Sequence, residues 1–231
     1  MPADDSVSFS SVTVTLAGFP ALLNLSFEVE AGETVYLRGP NGAGKTTLLG
    51  TLAGLEKPTR GSAMVLGVEL PGGERSLRAL AGMMGTRSHL YEDLTVAENL
   101  DLARRLLGIS SSRIDDAAEL FGVRGRLWKQ KVASLSAGQK RRVALAGLVA
   151  KNPRIWLLDE PHSSLDAAGR DLLDKLIVEA TKRGAIAFVA THEAEAGRAG
   201  GRVLEMVGGT VRAGAREASP GDEGPASEVP E

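Results

Sequence analysis

The 231-residue sequence predicts an α/β fold. Three observations carry that expectation. A glycine-rich stretch, Gly39-Pro40-Asn41-Gly42-Ala43-Gly44-Lys45-Thr46, follows a β-rich run and precedes a helical one, the setting of a phosphate-binding loop. The apolar runs at 155–158 and 185–190 read as strands covered on both faces, as in a parallel sheet. Near-alternation of apolar residues with Ser and Thr early in the chain reads as half-buried strands.

In chain order, Val7, Phe9, Val12 and Val14 mark the first strand, and Leu25-Ser26-Phe27-Glu28-Val29-Glu30 alternates again. Ala31-Gly32 is a turn, and residues 34–38 lead into the loop. Residues 46–55 form a helix, Lys57-Pro58-Thr59-Arg60-Gly61 breaks the chain, and 63–66 and 82–84 are short strands. Thr95 is the expected N-cap of a helix to residue 107, with Glu98 completing a capping box. A second helix covers 113–121. Together they mark a helical subdomain of about residues 87–145, inserted into the α/β pattern. Residues 167–182 place Leu172, Leu173, Leu176, Ile177 and Ala180 at helical spacing. Gly208-Gly209 joins 202–207 to 210–212 as a hairpin. Residues 1–216 read as one domain, and 217–231, dominated by Glu, Asp, Pro, Gly and Ser, as a disordered acidic tail.

Composition narrows the function. Lys and Arg number 27 against 29 Asp and Glu, a net charge of −2 without the basic excess of a nucleic-acid binder. Two Trp, two Tyr and five Phe offer little for base stacking. The absence of cysteine excludes disulfides and thiolate metal sites. No apolar run reaches the roughly 20 residues that span a bilayer, no signal peptide opens the chain, and no strongly basic amphipathic helix is present. The expectation is a cytoplasmic protein that reaches a membrane only through a protein partner.

The chemistry concentrates at a few points. Gly39, Gly42 and Gly44 let the main chain turn tightly and present N–H groups to phosphate oxygens, with the next helix adding its positive end. Pro40, Asn41, Ala43 and Thr47 complete the candidate phosphate site. Lys45 can reach the β- and γ-phosphates, and the Thr46 hydroxyl can ligate Mg²⁺. This loop alone does not separate a GTPase, a kinase, a recombinase or a transporter. Ile155-Trp156-Leu157-Leu158 ends in Asp159 and Glu160, at the strand end where ligands of open parallel sheets sit. Asp159 can hold the Mg²⁺ shell and Glu160 can polarise an attacking water. His192 ends the next strand region, where an imidazole can bond a γ-phosphate or orient water. Ser136, Gly138 and Gln139 begin a helix with Lys140, Arg141 and Arg142. Taken alone this is an N-capped surface helix; it is also a possible anion site.

Leu135-Ser136-Ala137-Gly138-Gln139 followed by a basic helix resembles the signature motif of ABC-transporter ATPases. The order also matches that family: phosphate loop, signature, carboxylate-ended strand, switch histidine. Asp159 lies 21 residues after Gly138, and His192 lies 32 after Glu160. Ser163-Ser164-Leu165-Asp166 resembles the family's D-loop. The resemblance spans about residues 6–213. It implies a P-loop NTPase core with an N-terminal antiparallel β subdomain and the inserted helical subdomain. It further implies ATP and Mg²⁺ as cofactors, with Glu160, His192 and Lys45 as catalytic residues. Two subunits would pair head to tail as a homodimer, with ATP between one phosphate loop and the other's Ser136–Gly138 stretch. An integral membrane permease on the inner face of the cell membrane would be driven through the helical subdomain.

Phe19-Pro20-Ala21-Leu22, Gly85-Thr86-Arg87-Ser88 with Leu90-Tyr91-Glu92-Asp93-Leu94-Thr95, and Asp159-Glu160-Pro161-His162 further resemble the haem-exporter ATPases of cytochrome c biogenesis, the CcmA type. The short chain agrees. Two departures stand out. Thr86 occupies the position where most of the family has Gln, and its shorter reach argues against direct contact with Mg²⁺. The aromatic that stacks on adenine is replaced by Leu16, with Phe19 as the alternative. Both departures predict slower turnover. Competing readings are an exporter of another cargo, a non-transport ABC ATPase and a weakly active regulatory subunit. The non-transport families carry coiled-coil insertions or paired cassettes, which this sequence lacks.

Overall fold

The computed structural model describes residues 5–86, 88–191 and 200–217. Two sheets organise it. Strands β1 (Val7–Leu16), β2 (Phe19–Val29), β4 (Arg60–Val65) and β5 (Val68–Leu70) form an antiparallel sheet in the order β2-β1-β4-β5. The second sheet has the order β10-β9-β3-β8-β7-β6. It comprises β3 (Thr34–Arg38), β6 (Ala81–Met84), β7 (Ile155–Asp159), β8 (Ile186–Ala190), β9 (Gly201–Val207) and β10 (Thr210–Glu217). All its pairings are parallel except the β9–β10 hairpin.

The apolar runs predicted as doubly covered strands are so. Along β7, Ile155 and Leu157 enter the core shared with the antiparallel sheet, while Trp156 and Leu158 enter the helical core on the other face. Phe188 and Val189 divide in the same way on β8. Phe27 joins the two sheets: it stacks on Phe9 at 4.7 Å and meets the edge of Phe188 at 6.3 Å.

Among the described residues six α-helices complete the fold: α1 (Lys45–Leu52), α2 (Glu74–Leu80), α3 (Val96–Leu107), α4 (Ser111–Leu120), α5 (Ala137–Lys151) and α6 (Ala167–Lys182). Thr95 caps α3 with the full reciprocal box, its hydroxyl accepting from Glu98 N and Glu98 accepting from Thr95 N. Helices α3, α4 and the first turns of α5 fall within 87–145, and α5 then continues to Lys151.

Some boundaries move. The helix expected over 46–55 ends at Leu52, because Gly54 turns the chain at φ +70 against the Glu74 carbonyl. Strand β2 begins at Phe19, six residues before the alternation becomes visible at Leu25. Strand β5 and helix α2 are additions to the elements that the sequence predicts. Glu217, the first residue of the expected tail, is the last of β10 and pairs with Gly201. Residues 218–231 lie outside the described residues.

Candidate functional site

The phosphate loop leaves β3 at the carboxyl edge of the parallel sheet and runs into α1. Gly39, Gly42 and Gly44 have φ of +148, +79 and +100, in the region that a side chain disfavours. Close approach adds a second demand. A Cβ on Gly39 would lie 2.1 Å from the Met206 carbonyl oxygen, and one on Gly44 would lie 2.7 Å from that of Ala21. The buried Lys45 ammonium donates to the carbonyls of Gly39 at 2.5 Å and Pro40 at 3.1 Å, so it lies along the loop it would serve.

The Asp159-Glu160 motif meets this loop from 113 residues away. Thr46 Oγ1 donates to Asp159 Oδ2 at 2.7 Å. Glu160 follows at φ +49, with its N–H donating to the Ala190 carbonyl at 2.9 Å. A cavity of about 550 Å³ opens here, with Lys45, Thr46, Thr47, Asp159 and Glu160 on its walls. Asn41, Gly42, Ala43 and Gly44 line it too, as does Thr86. His192 lies outside the described residues.

Other walls carry no motif for that role in the sequence. Pro20, Ala21, Gly208 and Gly209 also line the cavity. The β9–β10 turn holds the loop in place: Gly209 N donates to Ala43 O at 3.1 Å, and Leu23 N donates to Gly209 O at 2.7 Å. A side chain at 209 would strike the Ala21 carbonyl at 2.8 Å, so the paired glycines were the available signal. Phe19 is 77% exposed and Leu16 is 37% exposed, and neither lines the cavity.

The signature residues form a different surface. Ser136 caps α5, its hydroxyl accepting from Gln139 N at 3.3 Å while Gln139 Oε1 accepts from Ser136 N at 2.9 Å. Ser136, Gly138, Gln139, Arg142, Ser164 and Asp166 line a cavity of about 330 Å³ that shares no residue with the first. Arg142 Nη2 donates to both Asp166 oxygens at 2.8 Å. That bond, with the Gly169 N–H, holds the Asp166 carboxyl below its ordinary pKa. Within one chain, then, the structure unites the phosphate loop with Asp159 and Glu160 and keeps the signature apart.

Lys140, Arg141 and Arg142 do not all lie at the surface, as an N-capped surface helix would have them. Lys140 pairs with Glu92 at 2.7 Å and Arg142 with Asp166, but Arg141 is only 5% exposed. It donates from Nη1 to Gly85 O at 2.6 Å, from Nε to Pro161 O at 3.2 Å, and from Nη2 to Asp159 O at 3.1 Å and to Glu160 O. Burial pushes its pKa down, against the opposing pull of the Asp159 and Glu160 charges.

The family model for ABC transporters matches residues 22–163. The chain belongs to the ABC transporter family. It is 39% identical over 175 residues to the cytochrome c biogenesis ATP-binding export protein CcmA of Rhizobium johnstonii, covering 74% of this chain and 80% of that one. It is 40% identical over 189 residues to the CcmA protein of Rhizobium meliloti, covering 80% and 89%. The Nod factor export ATP-binding protein I of Rhizobium leguminosarum bv. viciae is 35% identical over 197 residues, covering 81% and 63%. Among solved structures, a dimeric ATP-binding cassette in a post-hydrolysis state, bound to ADP and Pi, superposes with a TM-score of 0.81 at 27% identity, covering 91% and 98%. This ABC ATPase binds ATP and hydrolyses it. Its two sheets and helical insertion are the architecture that the signature motif implied.

Proposed function

We propose that this chain is the ATPase subunit of a haem exporter serving cytochrome c biogenesis, acting on a separate membrane permease. The identity to several CcmA export proteins over three quarters of the chain carries the choice of cargo. No helix among the described residues is long and apolar enough to cross a membrane, so the permease supplies the path and the attachment to the inner face.

In this reading the loop N–H groups and Lys45 bind the β- and γ-phosphates. The residues also fit Mg²⁺. Thr46 Oγ1 and Asp159 Oδ2 are 2.7 Å apart, close to the ~2.9 Å between neighbouring ligands of an octahedral ion with bonds of 2.0–2.1 Å. Thr46 and Asp159 would hold the ion, with phosphate oxygens and water as its remaining ligands; among the described residues no cluster of three His, Cys, Asp or Glu could hold a metal. When bound, the ion offsets charge on the β- and γ-phosphate oxygens. Glu160 takes the proton of the attacking water, and the role the family resemblance implies for His192 is to bond the γ-phosphate or orient that water. The two separate cavities support assembly as a homodimer, in which Ser136, Gly138 and Gln139 of one copy close over the nucleotide held by the other. The α5 N–H groups then supply further anion donors.

The Nod factor export relative, at 35% identity, supports the second reading, an exporter of another cargo. Affinity capture of the chain from native membranes, with mass spectrometry, separates the two. Recovery of a small polytopic partner with cytochrome c assembly proteins supports haem export. Recovery of another kind of permease overturns the haem assignment and retains the transporter. Loss of hydrolysis in Glu160→Gln, with ATP binding retained, tests the role of that carboxylate.

A further inference from the structure

We infer that Arg141 is a positioning residue for hydrolysis, a clamp that sets the Glu160 carboxylate in the nucleotide cavity and couples it to the Thr86 segment. The inference rests on the reading of Glu160 as the group that polarises the attacking water.

The first observation is backbone conformation. Glu160 has φ +49, a region disfavoured for a residue with a side chain. Such conformations persist where the surroundings over-determine them, and they gather at active sites. Here the surroundings are identifiable. The Glu160 N–H is held by the Ala190 carbonyl at 2.9 Å, and its C=O accepts from Arg141 Nη2. The carbonyls on either side, Asp159 and Pro161, accept from the same guanidinium. Three successive peptide groups are therefore aimed by one side chain.

The second observation is register. Strands β6 and β7 pair from Ala81 with Ile155 to Met84 with Leu158, and the ladder stops there. The next pair in that register is Gly85 with Asp159. Arg141 bridges those two carbonyls, Nη1 to Gly85 and Nη2 to Asp159, and so extends the pairing past the ladder's end. Gly85 immediately precedes Thr86, which lines the cavity with Glu160. A shift in the Thr86 segment is thus transmitted to Glu160 through the guanidinium, without requiring Thr86 itself to reach across.

The third observation is the chemistry of the side chain. Its planar fork presents five N–H donors in fixed directions, which a lysine ammonium does not reproduce. Among the described residues Arg141 bonds main-chain carbonyls only, and it does not line the cavity, so it acts through Glu160 and not on the nucleotide.

The test uses the purified full chain with Arg141→Gln and Arg141→Lys, alongside Glu160→Gln. MgATP hydrolysis gives kcat and KM, and trinitrophenyl-ATP fluorescence gives nucleotide affinity, at a temperature where circular dichroism shows folded protein. Misplacing a catalytic group by about 1 Å costs on the order of 100-fold, so kcat in Arg141→Gln is expected to fall about 10- to 100-fold. Nucleotide affinity is expected to stay within about twofold, and Arg141→Lys is expected to lose kcat in the same way. A kcat within about twofold of the parent overturns the inference, as does a parallel loss of kcat and affinity, the mark of a merely structural role. If Arg141→Gln does not fold, Arg141→Lys is judged by the same criteria. Undiminished hydrolysis in Glu160→Gln overturns the reading of Glu160 itself, and that result is distinct from any obtained at Arg141.

Discussion

Two glycines of α5 are expected to respond oppositely to the same substitution. A Cβ on Gly138 would lie 2.7 Å from the Ser164 carbonyl oxygen, whereas one on Gly147 would meet Leu100 Cδ2 at an ordinary 3.7 Å. With ordinary contact beginning at 3.4 Å, Gly138→Ala forces a separation of 0.7 Å between the helix start and the turn before Asp166. The Ser164 carbonyl is main chain and the new Cβ is fixed rigidly to the main chain of α5, so neither can swing aside, and the Arg142–Asp166 pair spans the same gap. Overpacking of this kind costs about 1–3 kcal/mol. The gain in helix propensity is small at the second position of a helix, so the net loss is about 1–2 kcal/mol. For a domain of this size, that lowers the melting temperature by about 2–8 °C. Gly147 lies in the helix interior at an ordinary negative φ, where alanine gains about 0.5–1 kcal/mol, or about 1–4 °C. Thermal unfolding of the two variants by circular dichroism, with urea midpoints as a second measure, decides the matter. Melting temperatures that move in the same direction would refute the reasoning.

Three further outcomes follow from the packing and charges. Phe188 sits fully buried where the two sheets meet, so Phe188→Ala is expected to cost about 3–5 kcal/mol in urea unfolding. A loss below about 1 kcal/mol would mean the sheets are not locked there. Buried His162 bonds Asp174 Oδ1 at 2.7 Å, tying the segment after Glu160 to α6. Removing either partner is expected to cost about 1–3 kcal/mol, and a double-mutant cycle should show coupling where independent sites would add. The Asp166 carboxyl is held below its unfolded pKa of about 3.9 by Arg142, so its contribution is complete above that pH and is lost as pH falls through the folded value. The stability difference between the parent and Arg142→Gln should therefore shrink as pH falls below about 4, and a constant difference would contradict the assignment.

The linear motifs were legible because the chemistry requires particular residue types at fixed spacing, as at Lys45-Thr46 and Asp159-Glu160. Helix α3 was legible through its cap, and β7 and β8 through their apolar runs. Helix α2 has seven residues behind Gly73 with no side-chain cap, too short for periodicity to register. The start of β2 was hidden because its pairing with β1 shifts register repeatedly between Phe9 and Thr15, which breaks the alternation. Arg141 was unreadable for a different reason. It shares the inward stripe of α5 with Leu145 and Leu148, but a cation among cations carries no sign of burial. The cavity walls at Ala21 and Gly209 depend on contacts between segments nearly the whole chain apart.

The placement of β3 has a consequence for the order in which the molecule can assemble. This strand delivers the phosphate loop, yet its two sheet neighbours are β8 and β9, and the turn that steadies Ala43 is Gly208-Gly209. At about 5–20 residues per second, a ribosome needs roughly 7–30 s to travel from residue 46 to residue 186. For that interval the loop exists without either of the strands that flank it, and the closure of such distant pairings is intrinsically slow. Nucleotide binding therefore cannot guide the early folding of the nascent chain. It arrives as a late lock, able to stabilise only a core that has already closed.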